Sequence, residues 1–396
     1  MLTLFSTPKP FRGDIETIQR NAIQSWLKLR PKCEIILFGD DEGTDEVAAE
    51  FGIKHISEVV RNEFGTPLLN SLFEKAQKIS NYQLMAYVNA DIILMNDFLE
   101  AIERIQKDSF LMVGQRWDIE LKDTLKFDDP DWELHLKETV KERGILHAPT
   151  GIDYFVFPRG LFKDIPPFAI GRTAWDNWLV YQARVLGAAV IDATQVIMAV
   201  HPNHGYAHIP DGREGAWKGP EAKRNLELAG GSEHVFTIED ATHILTPVGL
   251  REATTFKIRD KERKCSSLLQ HTQGYLQQNR YKEAEDELKK AISLEPADKI
   301  MIVSICYALG SNYEREGMLD KAEEKFKEVV GFAKEISPST DKNRFTGGTH
   351  FHLGKIYQNM DKREKAIKEF KECLRIIPDH KKAKEILGEL EYPRLD

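Results

Sequence analysis

The sequence predicts an open, mostly parallel α/β sheet domain followed by an all-α helical-repeat domain. Three observations carry this. Short apolar runs alternate with amphipathic helical stretches up to about residue 200, and strand signals vanish after about residue 260. At 396 residues the chain is also too long for one ordinary core. These changes of texture divide it into an α/β domain over 1–230, a linker or lid over 231–262, and a helical domain over 263–396.

"LTLFS" (2–6) and "EIILFGD" (34–40) are continuous apolar runs ending in turn residues, as strands buried on both faces should be. Between them Ile15, Ile18, Ala22 and Trp26 share one helical face, with Asp14 a candidate N-cap. "QLMAYVNAD" (83–91), "FLMVGQ" (110–115), "DYFVF" (153–157) and "AAVID" (188–192) supply further strands. Helices are expected over "PLLNSLFEKAQKIS" (67–80) and "WDNWLVYQARVLG" (175–187). An open sheet of this kind binds ligands beyond the carboxyl ends of its strands.

The second half repeats a skeleton of a small residue followed four positions later by Leu or Phe: Ala284/Leu288, Ala322/Phe326 and Ala366/Phe370. Tyr275, Tyr313 and Tyr357 each stand nine residues before the alanine, and Leu309-Gly310 and Leu353-Gly354 complete the second and third units. This resembles the tetratricopeptide repeat (TPR), whose helix pairs bury small residues where they cross. The spacings of 38 and 44 residues exceed the ~34-residue period of that family, so connections or helices must be lengthened. Thr272 stands where the family prefers Gly, and "HKKAKEILGEL" (380–390) reads as a capping helix. The resemblance implies a surface for a protein partner or for self-association.

Charge is unevenly placed. Residues 1–255 hold 27 Lys and Arg against 38 Asp and Glu, while 256–396 hold 28 against 25. The acidic first part argues against nucleic-acid binding but tolerates a metal-bridged phosphate. Cys33, Cys265, Cys306 and Cys373 lack metal-ligand or redox spacing and read as reduced thiols of a cytoplasmic protein. The start, "MLTLFSTPKPF", is a strand and a turn rather than a signal peptide, and no apolar run approaches the ~20 residues of a membrane span.

The stretch "LMAYVNADIILMNDF" (84–98) places a polar triplet, Asn89-Ala90-Asp91, between two apolar runs. It resembles the Asp-any-Asp element of GT-A glycosyltransferases, in which the last aspartate is a hard oxygen ligand for Mn²⁺ or Mg²⁺ on a nucleotide-sugar diphosphate. The resemblance covers roughly residues 1–210 and implies a metal-dependent glycosyltransferase with a GT-A, Rossmann-like sheet, a nucleotide-sugar donor, and an unknown protein or glycan acceptor. It makes Asp91 a metal ligand and leaves Asn89 a hydrogen-bonding role towards the donor. Thr7, Asp40 and Asp41 of "FGDD", Arg61 and Asn70 then fall on the donor side, although Asp40 and Asp41 read equally as loop caps. Gly151 and Asp153 of "HAPTGIDYFVFP" fall on the acceptor side. Asp176 of "TAWDNWL" matches the position that supplies the general base in inverting members, or simply caps its helix. "VHPNHGYAH" offers His201, His204 and His208 as a further metal ligand, with His204 slightly preferred because a turn can swing it back. Two other readings stay open. A sugar-phosphate nucleotidyltransferase shares the architecture, but "STPKPFRGD" lacks that family's glycine-rich loop. A TPR scaffold with a degenerate transferase domain is the non-enzymatic alternative.

Overall fold

The structure, a computed structural model, describes residues 1–205, 212–297 and 299–391. It divides into two compact units, Met1–Phe256 and Lys257–Asp396.

In the first unit the apolar runs become strands β1 (Leu2–Ser6), β2 (Glu34–Phe38), β3 (Lys54–Ile56), β4 (Leu84–Val88) and β5 (Phe110–Val113). Strands β6 (Arg116–Ile119), β7 (Ile145–Leu146), β8 (Tyr154–Pro158), β9 (Ala189–Asp192), β10 (Ala199–Pro202), β11 (His243–Thr246) and β12 (Gly249–Glu252) follow. Nine of them form one sheet in the order β12-β11-β9-β5-β8-β4-β1-β2-β3, and the rest form a small sheet, β10-β6-β7. Pairs β1–β2, β1–β4, β2–β3, β5–β9 and β9–β11 are parallel. Strand β8 runs antiparallel between β4 and β5, and β12 antiparallel to β11.

The period of two in a strand divides the apolar residues between two cores. Leu4, Leu37, Ala86 and Val88 face one core, in which Ala22 and Trp26 of helix Gly13–Lys28 are buried. Phe5, Ile36, Phe38, Met85 and Tyr87 face the other, against Leu72, Phe73 and Ala76 of helix Leu69–Ile79 and Leu179 and Ala183 of helix Trp175–Val185. Both faces are covered, which is why these strands are apolar throughout.

Two expectations are corrected. Asp14 is not the N-cap of the first helix: Arg12 precedes it, and Asp14 lies in the first turn without a capping hydrogen bond. Residues 231–256 are not a linker, because β11 and β12 lie there and extend the large sheet through the β11–β9 pair. Their signal was weak: "HILT" has two apolar residues and "GLRE" one, and they are the last two strands on one side of the sheet.

Among the described residues from 255 onward there are three helix pairs: Thr255–Gln277 with Tyr281–Ser293, Ile300–Arg315 with Leu319–Ala333, and Thr340–Asn359 with Arg363–Ile376, followed by Lys381–Glu391. The longer spacing of the third repeat is taken up by helix length: Thr340–Asn359 has 20 residues against 16 in Ile300–Arg315, and Leu319–Ala333 has 15 against 13 in Tyr281–Ser293. Gly310 and Gly354 are needed where helices cross. A Cβ there would meet ring carbons of Phe326 at 2.8 Å and Phe370 at 2.7 Å. In the first pair the matching sequence positions hold Thr272 and the smaller Leu288, both buried. Cys265, Cys306 and Cys373 are buried thiols, Cys33 is half-buried, and none is disulfide-bonded. No described helix is long and apolar enough to cross a membrane.

Gly354→Ala is therefore expected to destabilise the helical unit by about 1–3 kcal/mol through overpacking. Adding Phe370→Leu, which copies the first pair, should recover part of the loss. Gly388→Ala, where an added methyl meets nothing within 4 Å, should instead stabilise by about 0.5–1 kcal/mol. Urea unfolding of the full chain followed by circular dichroism measures all three.

Candidate active site

The site is built where β4 ends. The chain turns at once, with Ile92 N–H donating to Asn89 O at 3.0 Å and Asn89 N–H to Asp153 O at 2.8 Å. The apolar segment that follows is clamped by the first helix. The Trp26 indole donates to Ile92 O at 2.9 Å, and Leu94 N–H donates to the Ser25 hydroxyl at 3.1 Å. Ile93 then pairs with Val200 of β10 through two backbone hydrogen bonds of 2.9 and 3.1 Å. Asp91 is two residues before that pair and His201 one residue after it, so the bridge brings two distant segments together.

The result is a compact donor set. One ligand atom each from Asp91, His201 and His204 lies within 4.8 Å of the others, a grouping that could hold a metal ion. His201 is part of β10 rather than its end, and both histidines, not His204 alone, are grouped with Asp91. His208 lies outside the described residues.

The hydrogen bonds around these groups fit a cation. His201 Nδ1 is 3.0 Å from Asp118 Oδ1, which leaves Nε2 as the atom able to coordinate; a carboxylate behind a ligand imidazole fixes its tautomer and raises its basicity. His204 Nδ1 faces Gly205 O at 3.0 Å, and its Nε2 stands 3.1 Å from Asp91 Oδ2. With the proton on Nδ1, an imidazole lone pair and a carboxylate oxygen face each other, an arrangement that a positive charge stabilises. The chain provides one: Lys9 Nζ is 2.9 Å from Asp91 Oδ2 and 3.2 Å from His204 Nε2. Burial alone would raise the Asp91 pKa, but Lys9 and the two histidines hold it well below the usual carboxylate range. The residues thus fit a hard divalent cation with mixed oxygen and nitrogen ligands.

Behind the donor set lies a second layer that the sequence reading missed. Arg116 reaches Asp153 Oδ2 at 2.7 Å and Asp118 Oδ1 at 2.9 Å, while Asp118 Oδ2 holds His147 Nδ1 at 2.6 Å. Burial opposes ionisation of Asp118, yet His201, Arg116 and His147 together lower its pKa. The available signal was Arg116 and Asp118 two apart, hence on one face of a strand. Lys9 was legible only as a cation between Pro8 and Pro10 just after β1.

Asn89 and the two acceptor-side candidates acquire specific surroundings. Asn89 Nδ2 donates to Asp153 Oδ1 at 2.7 Å. An aspartate there would set two carboxylates against each other, which gives a physical reason for the amide. Asp153 is already engaged on both oxygens, by Asn89 and Arg116. Gly151 makes room for the His147 ring, whose Cδ2 would lie 2.4 Å from an added Cβ.

The donor-side candidates gather at the ends of β1 and β2. Arg61 Nη2 bonds Asp40 Oδ1 at 2.6 Å and Asp41 Oδ2 at 2.8 Å. Gly39, at φ +111, leaves room here: an added Cβ would lie 3.3 Å from Asp41 Oδ2 and 3.4 Å from Thr7 Oγ1. Asn70 is the second residue of helix Leu69–Ile79. Thr7 Oγ1 and Asn70 Oδ1 are both shielded from solvent, with no partner among the described residues.

Asp176 differs from the other carboxylates. It lies in the first turn of helix Trp175–Val185 and does not cap it, since the preceding Ala174 occupies the cap position with left-handed φ +82. A buried alanine in that conformation is strained, a feature that recurs at functional sites. The Asp176 Oδ1 is shielded from solvent and has no partner among the described residues. Burial, and then the charge of Asp153, push its pKa up to about 7. Tyr87 feels Asp91, Asp153 and Asp176, and these charges add to burial in raising its phenol.

A tetratricopeptide repeat family model matches residues 275–298, which hold the second helix of the first pair, and 348–380, which hold the later part of helix Thr340–Asn359 and all of Arg363–Ile376. No curated protein sequence matches the chain significantly. Among solved structures, glucosyl-3-phosphoglycerate synthase from Mycobacterium tuberculosis with Mn²⁺, uridine diphosphate and phosphoglyceric acid is 15% identical, over 58% of this chain and 79% of that one, at a TM-score of 0.36. The same enzyme with Mg²⁺ and uridine diphosphate is 14% identical over 58% and 80%, at 0.35. The first TPR domain of Spaghetti bound to an HSP90 peptide is 21% identical over 33% and 92%, at 0.25.

Proposed function

We propose that the first unit is a metal-dependent glycosyltransferase using a nucleotide-sugar donor. The observation that carries this reading is the backbone pairing of Ile93 with Val200, which assembles Asp91, His201 and His204 at a strand end. A divalent ion bound there, Mn²⁺ or Mg²⁺, would neutralise charge developing on the leaving diphosphate.

The chain's own residues then divide the work. Asp91, His201 and His204 hold the ion, and Asp118 fixes the His201 ring. Thr7 and Asn70 have polar atoms that need partners, and the Asp40–Arg61–Asp41 cluster offers both charge signs, so these groups receive the nucleotide. Asn89 and Arg116 fix Asp153, which places its negative charge where it raises the Asp176 pKa. In an inverting transfer Asp176 accepts the proton of the acceptor hydroxyl. A base with a pKa near operating pH is well matched to that task. For the second unit, TPR helix pairs stack into solenoids with a concave recognition face, which supports recruitment of a protein or glycan acceptor.

Asp91→Asn is expected to abolish Mn²⁺-dependent donor binding while the fold persists, because the Lys9 side chain, 31% exposed, can rehydrate. A thermal-shift screen of UDP-, GDP- and CDP-sugars with and without Mn²⁺ reads this, since donor binding stabilises the native state by mass action. A shift that needs Mn²⁺ and survives in Asp91→Asn would overturn the metal assignment.

Asp176→Asn should lower turnover by about 10²–10⁴ with near-normal donor binding. Wild-type turnover should rise with pH through about 7 as the carboxyl ionises. The stability consequence follows in sign. The folded pKa lies above the unfolded value, so the folded state binds the extra proton and wild-type stability falls as pH rises from about 4 to about 7. Asp176→Asn lacks this loss and should gain on wild type in denaturant melts between pH 5 and pH 8. Wild-type turnover in the variant would leave Asp176 without a catalytic role.

A further inference from the structure

Lys9 has no role in the transfer proposed above, yet among the described residues it is the cation that touches the donor set, through Asp91 and His204. Its position is built rather than incidental. Lys9 N–H donates to Gln19 Oε1 at 2.7 Å and Gln19 Nε2 donates back to Lys9 O at 2.8 Å, a two-bond clamp from a buried glutamine. Pro8 and Pro10 flank it, and a residue before proline is restricted to extended backbone. From this fixed backbone the ammonium meets Asp91 Oδ2 at 2.9 Å and His204 Nε2 at 3.2 Å. These are two of the three groups assigned to the metal, and the ammonium lies against both.

We propose that Lys9 is a built-in counter-ion that competes with the divalent ion for Asp91 and His204. The inference rests on the metal assignment and extends it to a residue that sets how tightly the ion is held. Two cations cannot share Asp91 Oδ2 and His204 Nε2 at these distances, because like charges this close repel strongly in a partly buried site. Divalent-ion binding therefore requires the Lys9 ammonium to move away. Its side chain is 31% exposed, so water can receive it. Without the ion, the ammonium keeps the buried Asp91 carboxylate from standing uncompensated. The protein thus holds its donor set in order without metal, at the cost of weaker metal binding.

The test is Mn²⁺ titration of the full chain by electron paramagnetic resonance, comparing wild type with Lys9→Met and Lys9→Gln. Both variants should bind Mn²⁺ at least tenfold more tightly than wild type, and their unfolding temperature without metal should fall and recover when Mn²⁺ is added. Glutamine guards against a variant that fails only because methionine packs badly. In wild type, acetylation of Lys9 read by mass spectrometry should increase on adding Mg²⁺, as the ammonium leaves Asp91. Unchanged Mn²⁺ affinity in both variants, or unchanged Lys9 labelling on a protein that binds Mg²⁺, overturns the proposal and leaves the metal assignment standing. Mn²⁺ binding only in the Lys9 variants supports it in the extreme form. Absence of Mn²⁺ binding in wild type and in both variants overturns the metal assignment and this proposal together.

Discussion

The site depends on one short piece of backbone geometry, the pairing of Ile93 with Val200. Both residues are wholly buried, and so are Ile92, Leu94 and Met95 around them. A carboxylate cannot be held at a useful angle by a solvated loop. Here Asp91 sits between a sheet strand and an apolar segment clamped by Trp26 and Ser25. That is the physical use of a polar triplet between two runs that both seek burial. The apolar residues supply rigidity on each side, and the strand end supplies access.

Four carboxylates crowd this region, and their surroundings separate them. Asp91 is compensated by Lys9, Asp118 by Arg116 and two imidazoles, and Asp153 by Arg116 and the Asn89 amide. Asp176 has no charged side-chain partner among the described residues, and burial and the charge of Asp153 push its pKa up to about 7. Groups of one chemical type pushed apart in pKa can take opposite roles, some permanently charged and one able to exchange a proton. Asn89 belongs to the same balance. Replacing a carboxylate with an amide there removes one repulsion and adds one donor.

Much of this was legible in the sequence, for identifiable reasons. Strands buried on both faces announce themselves as apolar runs, so the centre of the large sheet and the strand-end position of Asp91 could be read directly. The repeat skeleton was equally plain, because Gly310 and Gly354 answer the bulk of Phe326 and Phe370. What failed were elements without that signature. Strand β6 reads "RWDI", β7 has two exposed residues, and neither shows an apolar period. The layer of Arg116, Asp118 and His147 rests on that small sheet and was invisible with it. Lys9 was hidden for another reason: its partner Asp91 lies 82 residues away, and only the β1–β4 pairing makes them neighbours.

The central claim is that Asp91 and the two histidines form one cation site. Anomalous diffraction from crystals of the full chain grown with Mn²⁺ and uridine diphosphate tests it most directly. The account predicts a manganese peak about 2.0–2.3 Å from an Asp91 oxygen and from at least one of the His201 and His204 ring nitrogens. A manganese peak bound to the nucleotide but away from all three side chains would contradict it.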